Sequence, residues 1–452
     1  MLKVFEMEHG RYRRLYDLHS WSGVIFGLFI FIVSISGSFA LFHEEVLSWE
    51  DPARRLPKAE FPAPLHNKFE NWVSLNAEGK SIDFLKLSYP DSVTPYYEAL
   101  LITKDDAGDV MRLEQRWNAE TAENIPRRGA GVSDWIWNFH RDLMWPDQFG
   151  GRTMGLALVG VAGVVLLLSI ISGVLIHRKI FSQIFTLRVH RSQALKWNDA
   201  HKVFGIWGLP FYAMVAFTGS VLGIVIILAP IVATLSFKGD QQAVYDAVFG
   251  EKLAPAGVES PMFSLDRIAS FSHPESRMPI AHVVIENWGD VTARYELQFP
   301  ADKEMALLDA YKISGVTGER VAYPLLDTPS NASRFVNAVA PLHYGSYGGL
   351  ALKLLYFLLG LSLAIISALG VLMWIDRRRN GGKKYKSLHH ILTGVTAGAP
   401  LTYGAIFILD KIYLGAEASR LAWTGVLFFT IWLAAIVYVF IRKNDRAAFR
   451  ET

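Results

Sequence analysis

The chain is 452 residues long and 51% of them are hydrophobic, a proportion that soluble domains of this length rarely sustain and that indicates a membrane protein. It contains no cysteine, which excludes disulfides, iron–sulfur clusters, thiolate zinc sites and covalently attached c-type haem. The formal charge of +3 is too small to point to nucleic acid.

The first apolar run, from Trp21 to Phe42, has no small-residue cleavage site after it. It is long enough to cross a hydrocarbon core of about 30 Å, so it reads as an uncleaved first span. Runs near 153–176, 203–231, 349–375, 391–413 and 421–441 bring the expected number of transmembrane helices to six. The fifth is interrupted by Gly and Pro and carries Asp410 and Lys411 near its end. Basic clusters flank the spans: HGRYRRLY before the first, HRKIFSQIFTLRVHRSQALKWNDAHK between the second and third, DRRRNGGKKYKSLHH between the fourth and fifth, and RKNDRAAFR at the end. With six spans all four fall on one side, which the positive-inside rule makes the cytoplasm, with both termini there.

The segments 43–150 and 232–348 then lie outside. DFLKLSYP and PYYEALLITKDDAGDVMRLEQRW alternate like the strands of a hairpin, as does AHVVIENWGDVTARYELQF, while SPMFSLDRIASF reads as a short capped helix. Two small α+β domains of one type are expected. The layout is an N-terminus and first helix (1–42), a first outer domain (43–150), helices two and three with their basic loop (151–231), a second outer domain (232–348), and helices four to six with the C-terminus (349–452).

The chain repeats itself. His19 stands four residues before Gly23 and eighteen before Gly37; His201 stands at the same distances from Gly205 and Gly219. Gly151 precedes Gly173 by twenty-two residues, as Gly348 precedes Gly370. An outer histidine comes before each of those helices: His140 in NFHRDLMWPDQFGG and His343 in PLHYGSYGG. Two parallel repeats related by a pseudo-twofold axis along the membrane normal are expected to form a four-helix core, with the last two spans added as a C-terminal pair. The axis would face His19 towards His201 near the inner side and His140 towards His343 near the outer side.

Histidines at membrane boundaries snorkel, cap helices, relay protons or bind metals, and ionisable groups at such depth usually face a cavity or a ligand. Bis-histidine b-type haem suits this set, since it needs one imidazole from each of two helices and no cysteine. Zinc suits it less, because three or four ligands would have to converge. Small residues beside the inner histidines (Ser20, Ser22, Gly23, Gly27, Gly205, Gly208) would admit a flat macrocycle or, equally, close helix packing. Trp21, Phe26, Trp207 and Phe211 could pack on it. His177 lies level with His19 and His201 and is an alternative inner ligand, although its repeat partner is Trp374. His43, whose repeat equivalent is Val225, reads as a solvated boundary residue. So do His190, His389 and His390 in the basic loops and His273 and His282 outside. The basic loop between spans two and three follows the positive-inside rule, and a cytoplasmic donor or anionic headgroup could also dock there.

The units LHSWSGVIFGLFIFIVSISGSFALF, SGVLIHRKIF, WNDAHKVFGIWGLPFYAMVAFTGS and HYGSYGGLALKLLYFLLGLSLAIISALGVLMW resemble the PepSY-associated transmembrane helix family. The likeness is to the branch of bacterial inner-membrane ferric-siderophore reductases and iron-regulated membrane proteins, and it runs from residue 10 to about 440. It implies periplasmic PepSY-like domains on a four-helix core in the inner membrane. It also implies two b-type haems, their iron held by His19 and His201 or His177 at the inner side and by His140 and His343 at the outer side. Electrons would pass from a cytoplasmic or quinone donor to a ferric chelate, a ferric siderophore, docked near the outer haem, and the lipid bilayer is the chain's other partner. The distance between the two haems is left open, with Phe217, Trp374 or a third cofactor as possible bridges. Two other readings stand beside this one: a non-enzymatic periplasmic PepSY sensor or regulator with structural histidines, and a siderophore permease using breaks at Pro210, Pro230 and Pro400. No nucleotide-binding fingerprint is present.

Overall fold

The structure is a computed structural model that describes residues 8–126, 131–177, 185, 188, 190, 192–250, 252–274, 277–300, 308–323, 331–380, 385–413 and 419–442. In chain order the helices are α1 (His9–Ala40), α2 (His43–Glu50), α3 (His66–Ala77), α4 (Val132–Asp142), α5 (Gly151–Ile176), α6 (Gln193–Trp207), α7 (Leu209–Ser236), α8 (Gln241–Phe249), α9 (Leu265–Ile268), α10 (Asn331–Tyr344), α11 (Gly349–Asn380), α12 (Lys386–Lys411) and α13 (Arg420–Ile441). The strands are β1 (Ser81–Ser88), β2 (Tyr96–Lys104), β3 (Val110–Asn118), β4 (Asn124–Ile125), β5 (His282–Glu286), β6 (Arg294–Pro300), β7 (Leu308–Ser314) and β8 (Arg320–Val321). The chain divides into two compact units, one of Met1–Leu47, Gly129–Leu228 and Leu342–Thr452, the other of Ser48–Arg128 and Ala229–Pro341.

The first unit is helical. Among the described residues α1, α5, α11, α12 and α13 are each long and apolar enough to cross a membrane, and α6 with α7 makes a sixth span if that bent pair counts as one. Glycines let these helices approach closely, as they do wherever hydrocarbon supplies no hydrophobic drive. A Cβ on Gly27 of α1 would lie 2.7 Å from Val371 of α11, and one on Gly223 of α7 would lie 2.5 Å from the Cα of Gly160 in α5.

The third span, expected as one helix over 203–231, breaks at Gly208 and turns by 70°. The repeat locates the cause. Pro210 stands where the first copy has Leu28, and proline removes an amide donor and crowds the carbonyl four residues earlier. Gly208 leaves room there for the Tyr212 ring, on which any Cβ would land. Its counterpart α1 runs unbroken for 32 residues.

The second unit is built on one antiparallel sheet of eight strands in the order β4-β3-β2-β1-β5-β6-β7-β8. The two outer segments therefore share a sheet, joined where Leu85, Leu87 and Ser88 of β1 face Ile285, Val283 and His282 of β5. They share a core as well: Phe69 and Val73 of α3, Leu85, Leu87, Leu101 and Trp117 of the first segment pack with Leu265, Ile268, Tyr295, Leu297 and Phe299 of the second. Strand alternation turns charges to the other face, where Glu98 meets Arg116 across β2–β3 and Lys312 meets Glu286 and Glu296 across the repeat's equivalent strands. The Asp290 carboxylate closes the β5–β6 turn by accepting amides from Ala256, Gly257, Val258 and Thr292.

Because one core serves both segments, damage at the seam is expected to loosen both. Leu87→Ala, at a fully buried position opposite Val283, is expected to cost about 2–5 kcal/mol. Hydrogen–deuterium exchange should then accelerate together in β2 and β6.

Candidate functional site

Two histidine pairs form inside the helical unit. The rings of His19 on α1 and His201 on α6 have centres 6.3 Å apart with planes at 75°. Those of His140 on α4 and His343 on α10 are 6.2 Å apart and nearly parallel, at 15°. Two imidazoles that share one metal ion, each through a nitrogen at about 2 Å, have ring centres roughly 6 Å apart. The four residues paired by the repeat in sequence are the four that meet in space.

Each ring is held through Nδ1. His19 Nδ1 bonds to the carbonyl of Ser169 at 2.8 Å, His201 Nδ1 to that of Ile366 at 3.0 Å and His140 Nδ1 to that of Val33 at 3.0 Å. His343 Nδ1 bonds instead to the Thr218 hydroxyl at 2.9 Å. A ring nitrogen facing a carbonyl must carry the proton, which leaves Nε2 as the free acceptor in three of the rings. Among the described residues no hydrogen bond engages Nε2 of any of the four.

Four residues beyond each of those carbonyls stands a glycine. A Cβ on Gly173 would lie 3.1 Å from the His19 ring and one on Gly370 would lie 3.5 Å from His201. On Gly37 it would lie 2.6 Å from His140, and on Gly219, four residues past Val215, it would lie 2.9 Å from His343. These glycines mark the register of the repeat in the sequence; the structure shows that they make room for the imidazoles. The glycines expected to flank a macrocycle, or equally to allow close helix packing, differ in their surroundings. Gly27 packs on α11, Gly208 accommodates Tyr212, and Gly23 and Gly205 meet nothing within 4 Å.

The cradles are built within a repeat and the pairs between repeats. Helix α1 supplies His19 and cradles His140, while α5 cradles His19. In the second copy α6 supplies His201, α7 cradles His343 and α11 cradles His201. Only when the two copies meet does either pair exist.

The pairs lie at opposite ends of the helices. His19 and the Gly37 cradle are eighteen residues apart on α1, roughly 27 Å at 1.5 Å per residue. At the His140–His343 end lies a cavity of about 710 Å³, lined by His140, His343, Gly37 and Gly219 and walled by Ile30, Val33, Leu166, Phe211, Val215 and Leu363. Its size is that of a small-molecule or cofactor site. Leu166 and Leu363 stand three residues before Ser169 and Ile366, so the cavity reaches to within one helical turn of the carbonyls that hold the other pair. Tyr212, buried and bonded through its hydroxyl to Ser362, packs with Leu166, Phe211 and Leu363 at that level. Of the bridges expected from sequence, Phe217 is substantially exposed and Trp374 packs with Trp21, Tyr385 and Arg378 near the start of α1.

Burial lowers the basicity of His140, to about 4, and of His343, to about 3, each ring also lying beside its partner. Both are neutral, the state a metal ligand requires. His177 is not drawn into a pair. It follows the last residue of α5, and its buried Nε2 has no hydrogen-bond partner among the described residues.

His43 differs from the solvated residue expected. It lines the mouth of the cavity with Trp137, Arg141, Tyr344 and Lys353, and its ring packs on Trp137 at 5.3 Å. Burial opposes its charge, but Asp134 at 3.7 Å and Glu44 at 3.4 Å prevail and raise its pKa to about 9. The sequence carried no periodic signal for this residue, because Asp134 is 91 positions away.

The model of the PepSY-associated TM region matches residues 16–377 of the chain. Among curated proteins the chain is 28% identical over 337 residues to the Uncharacterized protein PA4219 of Pseudomonas aeruginosa, covering 69% of this chain and 80% of that one.

The His43–Asp134 contact gives stability a signed pH dependence. A histidine whose folded pKa is raised from 6.5 to about 9 contributes fully below pH 6.5 and progressively less as pH rises through about 9. Thermal unfolding in detergent between pH 6 and 10 is expected to show that decline, and Asp134→Asn is expected to flatten it.

Proposed function

We propose that this chain, which belongs to the family of the PepSY-associated TM region, is a b-type haem protein that carries electrons across the bacterial inner membrane to a ferric chelate. The observation that supports this most directly is the doubled geometry. Two pairs of imidazoles, with ring centres 6.3 and 6.2 Å apart, are anchored through Nδ1 with Nε2 free, as ligands to one metal between each pair would be.

Haem bound at each pair would supply an iron that exchanges single electrons between Fe(II) and Fe(III). Everything else follows from the chain. The Nδ1–H bonds to Val33, Ser169 and Ile366 orient the rings and strengthen Nε2 as a donor. His19 with His201, and His140 with His343, would each hold one haem through two imidazoles, which favours electron transfer over binding of small gases. The apolar cavity walls exclude water from the His140–His343 site and favour the lower-charged state there. With the basic flanks cytoplasmic, the His19–His201 pair faces a cytoplasmic or quinone donor and the His140–His343 pair faces the periplasm. A ferric siderophore suits that end, because its donor atoms hold Fe(III) far more tightly than Fe(II) and one electron releases the metal.

Protein purified in mild detergent from haem-replete cells is expected to show a Soret band and sharp low-spin α and β bands on dithionite reduction, at two haems per chain. Ring planes at 75° and 15° split the iron d orbitals differently, so two distinct low-spin electron paramagnetic resonance signals are expected. Replacing His19 or His201 with alanine should abolish one signal, and replacing His140 or His343 should abolish the other. Gly37→Val and Gly173→Val should each halve the haem content, at opposite sites. A colourless protein would sink the reading in favour of a PepSY sensor with structural histidines.

A further inference from the structure

The helices α12 and α13 lie beyond residue 377, where the family match ends, and they break the twofold symmetry of the helical unit. They are joined by a buried ion pair in which Arg420 Nε donates to Asp410 at 2.7 Å. Their apolar face packs on α4, the helix that carries His140. Trp135 of α4 is fully buried, with its ring 4.2 Å from Phe428 and 4.8 Å from Phe139, and Phe139 lies 5.2 Å from Phe428. Gly425 makes this possible, since a Cβ there would lie 2.9 Å from the Trp135 indole nitrogen. The repeat helix α10, counted back from His343, has Ala338 and Leu342 where α4 has Trp135 and Phe139. It carries no ring at either position to receive such a contact.

The same helix pair reaches the second layer around His140. Ser36 is fully buried, donates to the Val33 carbonyl at 3.0 Å and stands 3.3 Å from His140 Nδ1. Tyr403 of α12, 1% exposed and stacked on Phe39 at 4.4 Å, directs its hydroxyl towards Ser36. Among the described residues that hydroxyl completes no hydrogen bond. A buried phenol without a partner is costly, and the acceptor in its path is the Ser36 oxygen. On the other side of the pair, Thr218 of α7 touches His343 Nδ1 directly.

We propose that α12 and α13 are a one-sided brace for the His140–His343 site, and that Tyr403 is a positioning residue for His140, acting through Ser36. By holding the Ser36 hydroxyl, Tyr403 sets how much of the His140 Nδ1 proton is shared with Val33 and how much with Ser36. That sharing tunes the ligand without touching it. The inference rests on the haem reading, and wild-type haem content tests that reading separately: a colourless wild type removes the haem reading itself.

The test uses the full-length chain, with each haem read by its own resonance signal and its own reductive titration. Tyr403→Phe keeps the ring and removes the hydroxyl. The expected result is two haems per chain, with the midpoint potential and resonance position of the His140–His343 signal shifted and those of the His19–His201 signal unchanged. Signals and potentials that both superimpose on the wild type would overturn the role of Tyr403. Phe428→Ala opens the packing on Trp135 and is expected to lower haem at the His140–His343 site alone, towards one haem per chain. Retention of both haems, or equal loss from both sites, would overturn the brace.

Discussion

An imidazole cannot enter a packed helical interface unless something opposite gives up its side chain. Protein interiors are filled to the density of organic crystals, and apolar helices in a membrane pack closer still where glycines face each other. Here each of four histidines sits against a glycine, and for three of them the carbonyl one turn before that glycine accepts a hydrogen bond from Nδ1–H. Two constraints therefore fall on one short stretch of helix, space from Gly37, Gly173, Gly219 and Gly370 and orientation from the backbone beside them. The ring is fixed at two points, and its centre lies 6.2–6.3 Å from that of its partner from the other copy.

The division of labour between repeats explains why the chain is duplicated. Each copy is self-sufficient as a holder and insufficient as a site, since it presents one imidazole at each end and pairs neither. Bringing two copies together makes both pairs at once, at the two ends of the same four helices. The second unit obeys the same logic with different chemistry. Neither outer segment's strands close a sheet alone, and the β1–β5 seam joins them over one core.

Much of this was legible in the sequence because it depends on repetition. The spacing of His19 to Gly37 and of His201 to Gly219 placed both pairs, and the lengths of the apolar runs located the spans. What escaped depends on contacts that no local pattern records. The roles of the four cradle glycines look the same in sequence as those of Gly23 and Gly205, which face open space. The bend at Gly208 was foreshadowed only by Pro210 standing against Leu28. His43 was judged by Val225, its apolar equivalent, when its charge is decided by Asp134 from another helix. The shared sheet could not be inferred from two hairpins that are each complete locally, because edge pairing is decided in three dimensions.

Once two copies share a chain they can diverge, and several of the differences here lie around the paired histidines. Pro210 bends the helix pair that carries His201, while its counterpart runs straight past His19. Thr218 replaces a carbonyl as the partner of His343. Trp135 and Phe139 anchor α4 on α12 and α13, whereas α10 carries alanine and leucine at the matching positions. The rings meet at 75° in one pair and at 15° in the other. A dimer of identical halves would have to treat both members of a pair alike. A single chain can make the two sides of one end chemically unequal.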